Sequence, residues 1–320
     1  MFGACFAPGE PVNLLVLGRS RFFTRRMAPA LREVERIAHV DVASRRPQAR
    51  DAHVRATFDD YAAALEASDA ELVYVSLVNA HHAAWAERAL RAGRHVVVDK
   101  PLTTSLPDAE RLLSLAARRK RCLAELNTFG MHPMVSQALD DVAGDVRRVV
   151  ATFSFPPLPA DDFRWSCALG GGVIEDLGPY AAAVARVVLP GAVEELTCRV
   201  GWRDGVPTSL SLLATVGEAT LLGGFGFGSV YENRLAVIAS ERSVFLERAF
   251  TQPPDIALSY ERRDGLERST VTVEAANSFG VFFERLLDTI EASDFGEMHE
   301  VARRDAQLLH RMRTCAGQPT

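Results

Sequence analysis

The chain has little cysteine, no block of charge of one sign and no long hydrophobic run. Its five cysteines, Cys5, Cys122, Cys167, Cys198 and Cys315, are scattered without a Cys-x-x-Cys pair, and their odd number argues against a disulfide framework. That usage fits a cytoplasmic protein. Lys and Arg number 36 against 41 Asp and Glu, for a net charge of −5, and the arginines are interspersed with acids. Nucleic acid is therefore not an expected partner. No stretch approaches the roughly 18 apolar residues of a spanning helix, so no membrane segment is expected. The amino-terminal residues also lack the basic region and apolar run of a signal peptide. His81 and His82 are adjacent, and neighbours on a helix do not share a face, so no metal site is expected from them.

What is present is ordinary globular material in quantity: 320 residues, 48% apolar and 24% charged, enough for two cores. The stretch around which the chain is organised is Arg94-His95-Val96-Val97-Val98-Asp99-Lys100-Pro101-Leu102. Three β-branched residues read as a buried strand, and the proline ends it. Lys100 is thereby delivered to a strand's carboxyl end, the edge at which open α/β sheets bind ligands. Upstream, Ala70 to Val78 reads as a second strand, and His82 to Ala92 as a helix stopped by Gly93, completing a βαβ unit.

The amino-terminal order is strand, glycine, helix: Val12 to Leu17, Gly18, then a helical pattern through Met27, Ala30, Leu31 and Val34. A Rossmann domain opens this way, with the pyrophosphate at the helix amino terminus. Its Gly-x-Gly-x-x-Gly fingerprint is eroded, because Ser20 and Phe23 occupy the second and third glycine positions. The next strand, His39 to Ala43, ends in Ser44-Arg45-Arg46, where an NAD site would place an acid. Ser44 and Arg45 suit a 2′-phosphate, so NADP(H) is the expected cofactor. The plainer alternative is a pair of exposed loop arginines. Asp41 lies inside the strand, three residues too early for the ribose.

Two motifs carry a family resemblance. The first comprises Asn79-Ala80-His81-His82, Ala89-Leu90-Arg91-Ala92-Gly93-Arg94-His95-Val96 and Asp99-Lys100-Pro101; the second is Leu169-Gly170-Gly171-Gly172-Val173-Ile174-Glu175-Asp176-Leu177-Gly178-Pro179-Tyr180. Together they resemble the Gfo/Idh/MocA oxidoreductases over nearly the whole chain, with Asp99 where that family usually has glutamate. The resemblance implies an α/β Rossmann domain followed by an α+β domain with a large, mostly antiparallel open sheet, divided as 1–125 and 126–320. It also implies that Gly18, Ser20, Leu77, Asn79, His82, Asp99 and Lys100 line the cofactor, His82 being readable equally as a half-buried helix histidine. Gly130 stands where the family commonly has an arginine. Tyr180 and Ala183 replace its usual histidine and aspartate, and a tyrosine there resembles the sugar-nucleotide ketoreductases, glucose–fructose oxidoreductase and the dihydrodiol and xylose dehydrogenases.

Between Pro156 and Trp165 the composition is that of a loop, and Arg164 is its candidate for an anionic substrate group. Asp176 and Tyr180 are four apart on a predicted helix and so share a face. From Glu194 to Val273 many short strands alternate with turn signals, an antiparallel pattern whose broad sheet is expected to form a homodimer or homotetramer. The expected chemistry is hydride transfer from NADPH to a sugar ketone, with a sugar or sugar-nucleotide as substrate. Tyr180 would be the acid, Lys100 its activator and Asp176 the residue that orients them. An aldose or trans-dihydrodiol dehydrogenase running the same site in reverse, or a non-catalytic ligand-binding member of the fold, are the competing readings.

Overall fold

A computed structural model of the protein describes residues 10–45, 53–189 and 191–317; Arg46 lies outside them. Contacts divide the chain into two compact units, Met1–Leu126 with Phe279–Ala306, and Asn127–Ser278 with Gln307–Thr320.

The first unit is built on β1 (Val12–Leu17), α1 (Ala28–Leu31), β2 (Ile37–Ala43), β3 (Val54–Phe58), α2 (Tyr61–Ala67), β4 (Leu72–Val75), α3 (His82–Arg91), β5 (His95–Asp99), α4 (Leu106–Arg119) and β6 (Leu123–Leu126). The strands form one parallel sheet in the order β3-β2-β1-β4-β5-β6. Parallel strands covered on both faces need continuous apolar runs, and Leu72–Val75 and Val96–Val98 are buried throughout. Helix starts follow local capping: the Asp60 carboxylate accepts from the Ala62 and Ala63 N–H groups at 2.9 Å, and Ser105 opens α4 ahead of Pro107. The first helix is less regular than its sequence pattern predicts. Arg21 and Phe22 are α-helical, Phe23–Met27 forms a π-helical turn, and Ala28–Leu31 is again α-helical. Asp41, 1% exposed, is held by Arg55 and Ser68, which makes it an internal strut of β2.

The second unit contains α5 (Pro133–Asp140), β7 (Val146–Phe155), α6 (Val173–Val188), β8 (Leu196–Arg203), β9 (Val206–Val216), β10 (Ala219–Phe227), β11 (Glu232–Ala239), β12 (Arg242–Glu247), β13 (Leu258–Asp264) and β14 (Glu267–Val273). The eight strands are ordered β14-β13-β12-β11-β7-β10-β9-β8. Every neighbouring pair is antiparallel except β7 with β10, because β7 enters from the α5 side and inserts between β10 and β11. α6 is buried along almost its whole length against this sheet, with Phe153, Phe225 and Phe250 in the shared core. On the sheet's other face Leu213 and Leu222, paired across β9 and β10, are exposed.

Two closing helices follow, α7 (Ser278–Ala292) and α8 (Gly296–Cys315). α7 and the start of α8 return to the first unit. Phe279 meets Phe22 at 5.4 Å, Phe283 meets Tyr74 at 6.5 Å, and Arg36 pairs with Asp288 at 2.6 Å and Glu291 at 2.8 Å. Among the described residues, no helix is long and apolar enough to cross a membrane, and no cluster of His, Cys, Asp and Glu is placed to hold a metal ion.

Candidate active site

In the first unit the strand order reverses beside β1, whose neighbours are β2 and β4, and this is the switch point where doubly wound sheets bind nucleotides. Gly18 ends β1 with φ +102°, and a Cβ there would stand 2.2 Å from the Ser76 carbonyl oxygen. The backbone can turn there only without a side chain. Gly18→Ala is expected to weaken NADPH binding by about tenfold or more, since strain of this kind costs about 1–3 kcal/mol. A nicotinamide-fluorescence titration, run beside a thermal melt, measures it.

The two departures from the glycine fingerprint have distinct physical causes. The Ser20 hydroxyl accepts from the Phe23 N–H at 2.9 Å and so caps the helical segment that begins at Arg21. Its oxygen also lies 2.9 Å from Ser76 Oγ. Phe23 is buried and packs 6.3 Å from the Tyr74 ring, so its bulk fills the space over β4 instead of narrowing it. Ser44 is buried at the end of β2, its N–H donating to the Phe58 carbonyl at 2.9 Å. Arg45 is exposed, with its guanidinium 5.7 Å over the Tyr61 ring, a seat that fixes the cation at the strand end. Gly18, Ser44 and Arg45 together fit a dinucleotide with a 2′-phosphate.

At the ends of β4 and β5, Leu77 packs against the core and Asn79 opens a short 3₁₀ turn. His82 is fully buried, with Nδ1 2.8 Å from the Pro101 carbonyl and Nε2 3.1 Å from the Leu77 carbonyl. Burial drives its pKa down to about 4, against the pull of the two carbonyls, which favour a protonated ring, and the side chain is a strut between two loops. Asp99 accepts from the Tyr74 hydroxyl and from Ser76 Oγ, the latter at 3.0 Å. Lys100 follows at the strand end, half-buried, with a cis peptide to Pro101. Neither Tyr74 nor Ser76 stands out in the sequence; the one signal for them is a polar pair spaced by two within a buried strand and its exit.

In the second unit Gly170-Gly171-Gly172 brings the Phe163–Trp165 turn onto the start of α6. Gly170 and Gly172 have positive φ, and a Cβ on Gly171 would meet the Arg164 carbonyl oxygen at 2.5 Å. The result is a fixed Arg164: its Nε donates to Asp176 Oδ2 at 2.8 Å, and its NH1 lies 3.2 Å from Asp162 Oδ1. Burial opposes that charge, but the two carboxylates hold the guanidinium's pKa above its ordinary value. Arg164 thus pairs with two acids that fix its place in the loop, and its expected meeting with an anionic substrate group stands as a proposal. Asp176, 4% exposed, is likewise spoken for by Arg164. Tyr180 is partly exposed, its ring held edge-on against Phe153 at 5.2 Å and Phe250 at 5.6 Å. Gly130 has φ +86°, which explains glycine in place of a side chain there.

The chain belongs to the Gfo/Idh/MocA oxidoreductases. Residues 12–126 match the family's domain described as "Oxidoreductase family, NAD-binding Rossmann fold", and residues 136–244 match its C-terminal domain. It is 32% identical to a dTDP-3,4-didehydro-2,6-dideoxy-alpha-D-glucose 3-reductase of Actinomadura kijaniata, covering 97% of both chains. A protein of the same description from Saccharopolyspora spinosa is 35% identical over 83% of this chain and 84% of its own. Among solved structures, the 3-ketoreductase KijD10 from Actinomadura kijaniata, in complex with NADP and TDP-benzene, superposes with a TM-score of 0.89 at 30% identity, covering 96% of this chain and 98% of that one.

Proposed function

We propose that this protein is an NADP(H)-dependent ketoreductase that reduces the ketone of a nucleotide-diphosphate-linked sugar, with a dTDP-linked 3-keto-deoxysugar as the class to test first. The observation that carries the reading is the likeness, over nearly the full length of both chains, to 3-reductases of dTDP-sugars. The dinucleotide, when bound, supplies the hydride. Charge then grows on the carbonyl oxygen, and Tyr180 donates the proton that quenches it. A phenol with a reference pKa of about 10 is a slow acid at neutral pH, and the cationic Lys100 lowers that value. Leu77, Asn79 and the His82 strut shape the loop through which Lys100 is presented, while Arg164 holds Asp176 one turn before Tyr180 on α6. The exposed Leu213–Leu222 face of the sheet is the surface through which we expect copies of the chain to associate.

The test is oxidation of NADPH in the presence of a dTDP-linked 3-keto-deoxysugar, followed at the nicotinamide absorbance, beside free keto-sugars and beside aldoses with NADP⁺. Reduction of the nucleotide-linked sugar alone supports the proposal; oxidation of free aldoses alone transfers the assignment to the dehydrogenase reading. Arg45→Ala is expected to weaken NADPH binding about ten- to a hundredfold while leaving NADH binding unchanged, the worth of a charge-assisted hydrogen bond to the 2′-phosphate. Parallel titrations with the two cofactors decide it.

A further inference from the structure

Tyr74 in β4 and Ser76 just beyond it lie two residues apart, so both reach the same side of the sheet, where β5 brings Asp99. The Tyr74 hydroxyl donates to Asp99 Oδ1, and Ser76 Oγ donates to Oδ2 at 3.0 Å. A serine hydroxyl has one proton, and that of Ser76 is given to the carboxylate. The contact with Ser20 Oγ at 2.9 Å must therefore run from Ser20 to Ser76. Ser20 in turn accepts from the Phe23 N–H at 2.9 Å. Every donor in this chain points toward Asp99, an arrangement that matches an ionised carboxylate. It begins in the turn after β1 and ends one residue before Lys100.

The Tyr74 ring is fully buried between Phe23 and Phe283. Phenylalanine would fill that core equally well, so the hydroxyl has its use in the bond to Asp99. We propose that Tyr74 and Ser76 are positioning residues that hold the Asp99 carboxylate at the end of β5, and so set the place and charge of Lys100. Ser20 carries the same constraint into the dinucleotide turn. The inference rests on the reading of Lys100 as the activator of Tyr180.

The charged and titratable groups facing Asp99 are Tyr74 from β4 and Lys100 from the end of β5, while the rings packed on Tyr74 bring no charge. Burial lowers the pKa of His82, which feels the charge of Lys100, to about 4. Burial raises the Asp99 pKa to about 6, and the bonds from Tyr74 and Ser76 and the charge of Lys100 hold it from rising further. Removing the Tyr74 hydroxyl removes one of the groups that favour the ionised form, so the carboxylate must take up its proton at higher pH. Below that point Lys100 loses its counter-charge.

The experiment is a titration of protein carrying ¹³C-carboxyl aspartate and ¹³Cε lysine, as wild type, Tyr74→Phe and Ser76→Ala, with Asp99→Asn to assign the signals. Tyr74→Phe is expected to move the Asp99 midpoint up by about one pH unit or more, and Ser76→Ala to move it in the same direction. Asp99→Asn is expected to move the Lys100 midpoint down. With a sugar nucleotide as substrate, the acid limb of kcat should follow Asp99 upward in Tyr74→Phe while the Kd for NADPH stays within about twofold. An Asp99 midpoint unchanged in Tyr74→Phe, a Lys100 midpoint indifferent to Asp99→Asn, or an acid limb that stays in place overturns the proposal. If the wild type reduces no sugar nucleotide, the ketoreductase reading fails, and the two titrations still decide the positioning network.

Discussion

Tyr180→Phe is expected to lower kcat by about a hundred- to ten-thousandfold, the usual worth of a positioned general acid, with the affinity for NADPH unchanged. The substitution removes one hydroxyl and leaves the ring, and the ring is what the fold uses: it packs edge-on against Phe153 and Phe250 in the core of the second unit. Stability should therefore stay near wild type, and a thermal melt checks this. In the proposed mechanism Lys100→Met lowers kcat by a comparable factor, because the phenol would lack the cation assigned to lower its pKa. If both residues serve one proton transfer, the double variant loses little more than either single one, since groups acting as a unit are not additive. Equal losses of turnover and NADPH affinity in Tyr180→Phe would show that the tyrosine holds the cofactor in place, and the acid would have to be sought elsewhere. Fully multiplicative losses in the double variant would separate Lys100 from the tyrosine.

The parts of this molecule that are legible in the sequence are those written in local chemistry. The Val96–Val98 run specifies a buried parallel strand, and Asp99-Lys100-Pro101 its end, so composition and order alone place Lys100. Gly18 is legible for the same reason, since only glycine tolerates the turn under Ser76. β3 is not, because Val54–Phe58 is short and nowhere fully buried, and so lacks the apolar run of its neighbours. The return of α7 to the first unit is equally hidden, since an amphipathic helix does not state which core it covers. Side-chain partnerships are the least accessible. The ion pairs of Arg164 are not legible because its partners lie two residues before it and twelve after it, and the close packing of Gly171 on the Arg164 backbone is a tertiary contact. The Ser20 and Phe23 departures look like decay until Tyr74 and Ser76 supply the contacts that make them consistent. Those contacts join β1, β4 and β5, and no spacing along the chain records them.

The largest expected loss of stability comes from a pair away from the hydride chemistry. Arg313, 3% exposed near the end of α8, donates from Nε and NH2 to the two carboxylate oxygens of Glu175 on α6, each at 2.7 Å. Arg313→Ala would leave the Glu175 carboxylate charged and unpaired in a helix that is buried almost throughout, and a broken buried pair costs about 3–5 kcal/mol. Urea denaturation should show a midpoint shifted down with little change in slope. An intact pair need not stabilise the fold on balance, because each ion gave up its hydration to form it. Arg313→Met combined with Glu175→Leu should therefore recover most of the loss. Recovery of stability without recovery of kcat would give the pair a second role, because Glu175 precedes Asp176 and a helix no longer pinned by Arg313 is free to shift Asp176 and Tyr180 together. Recovery of both would make it purely structural. A loss below about 1 kcal/mol in Arg313→Ala would mean that water reaches Glu175, since that is the range measured for solvated ion pairs.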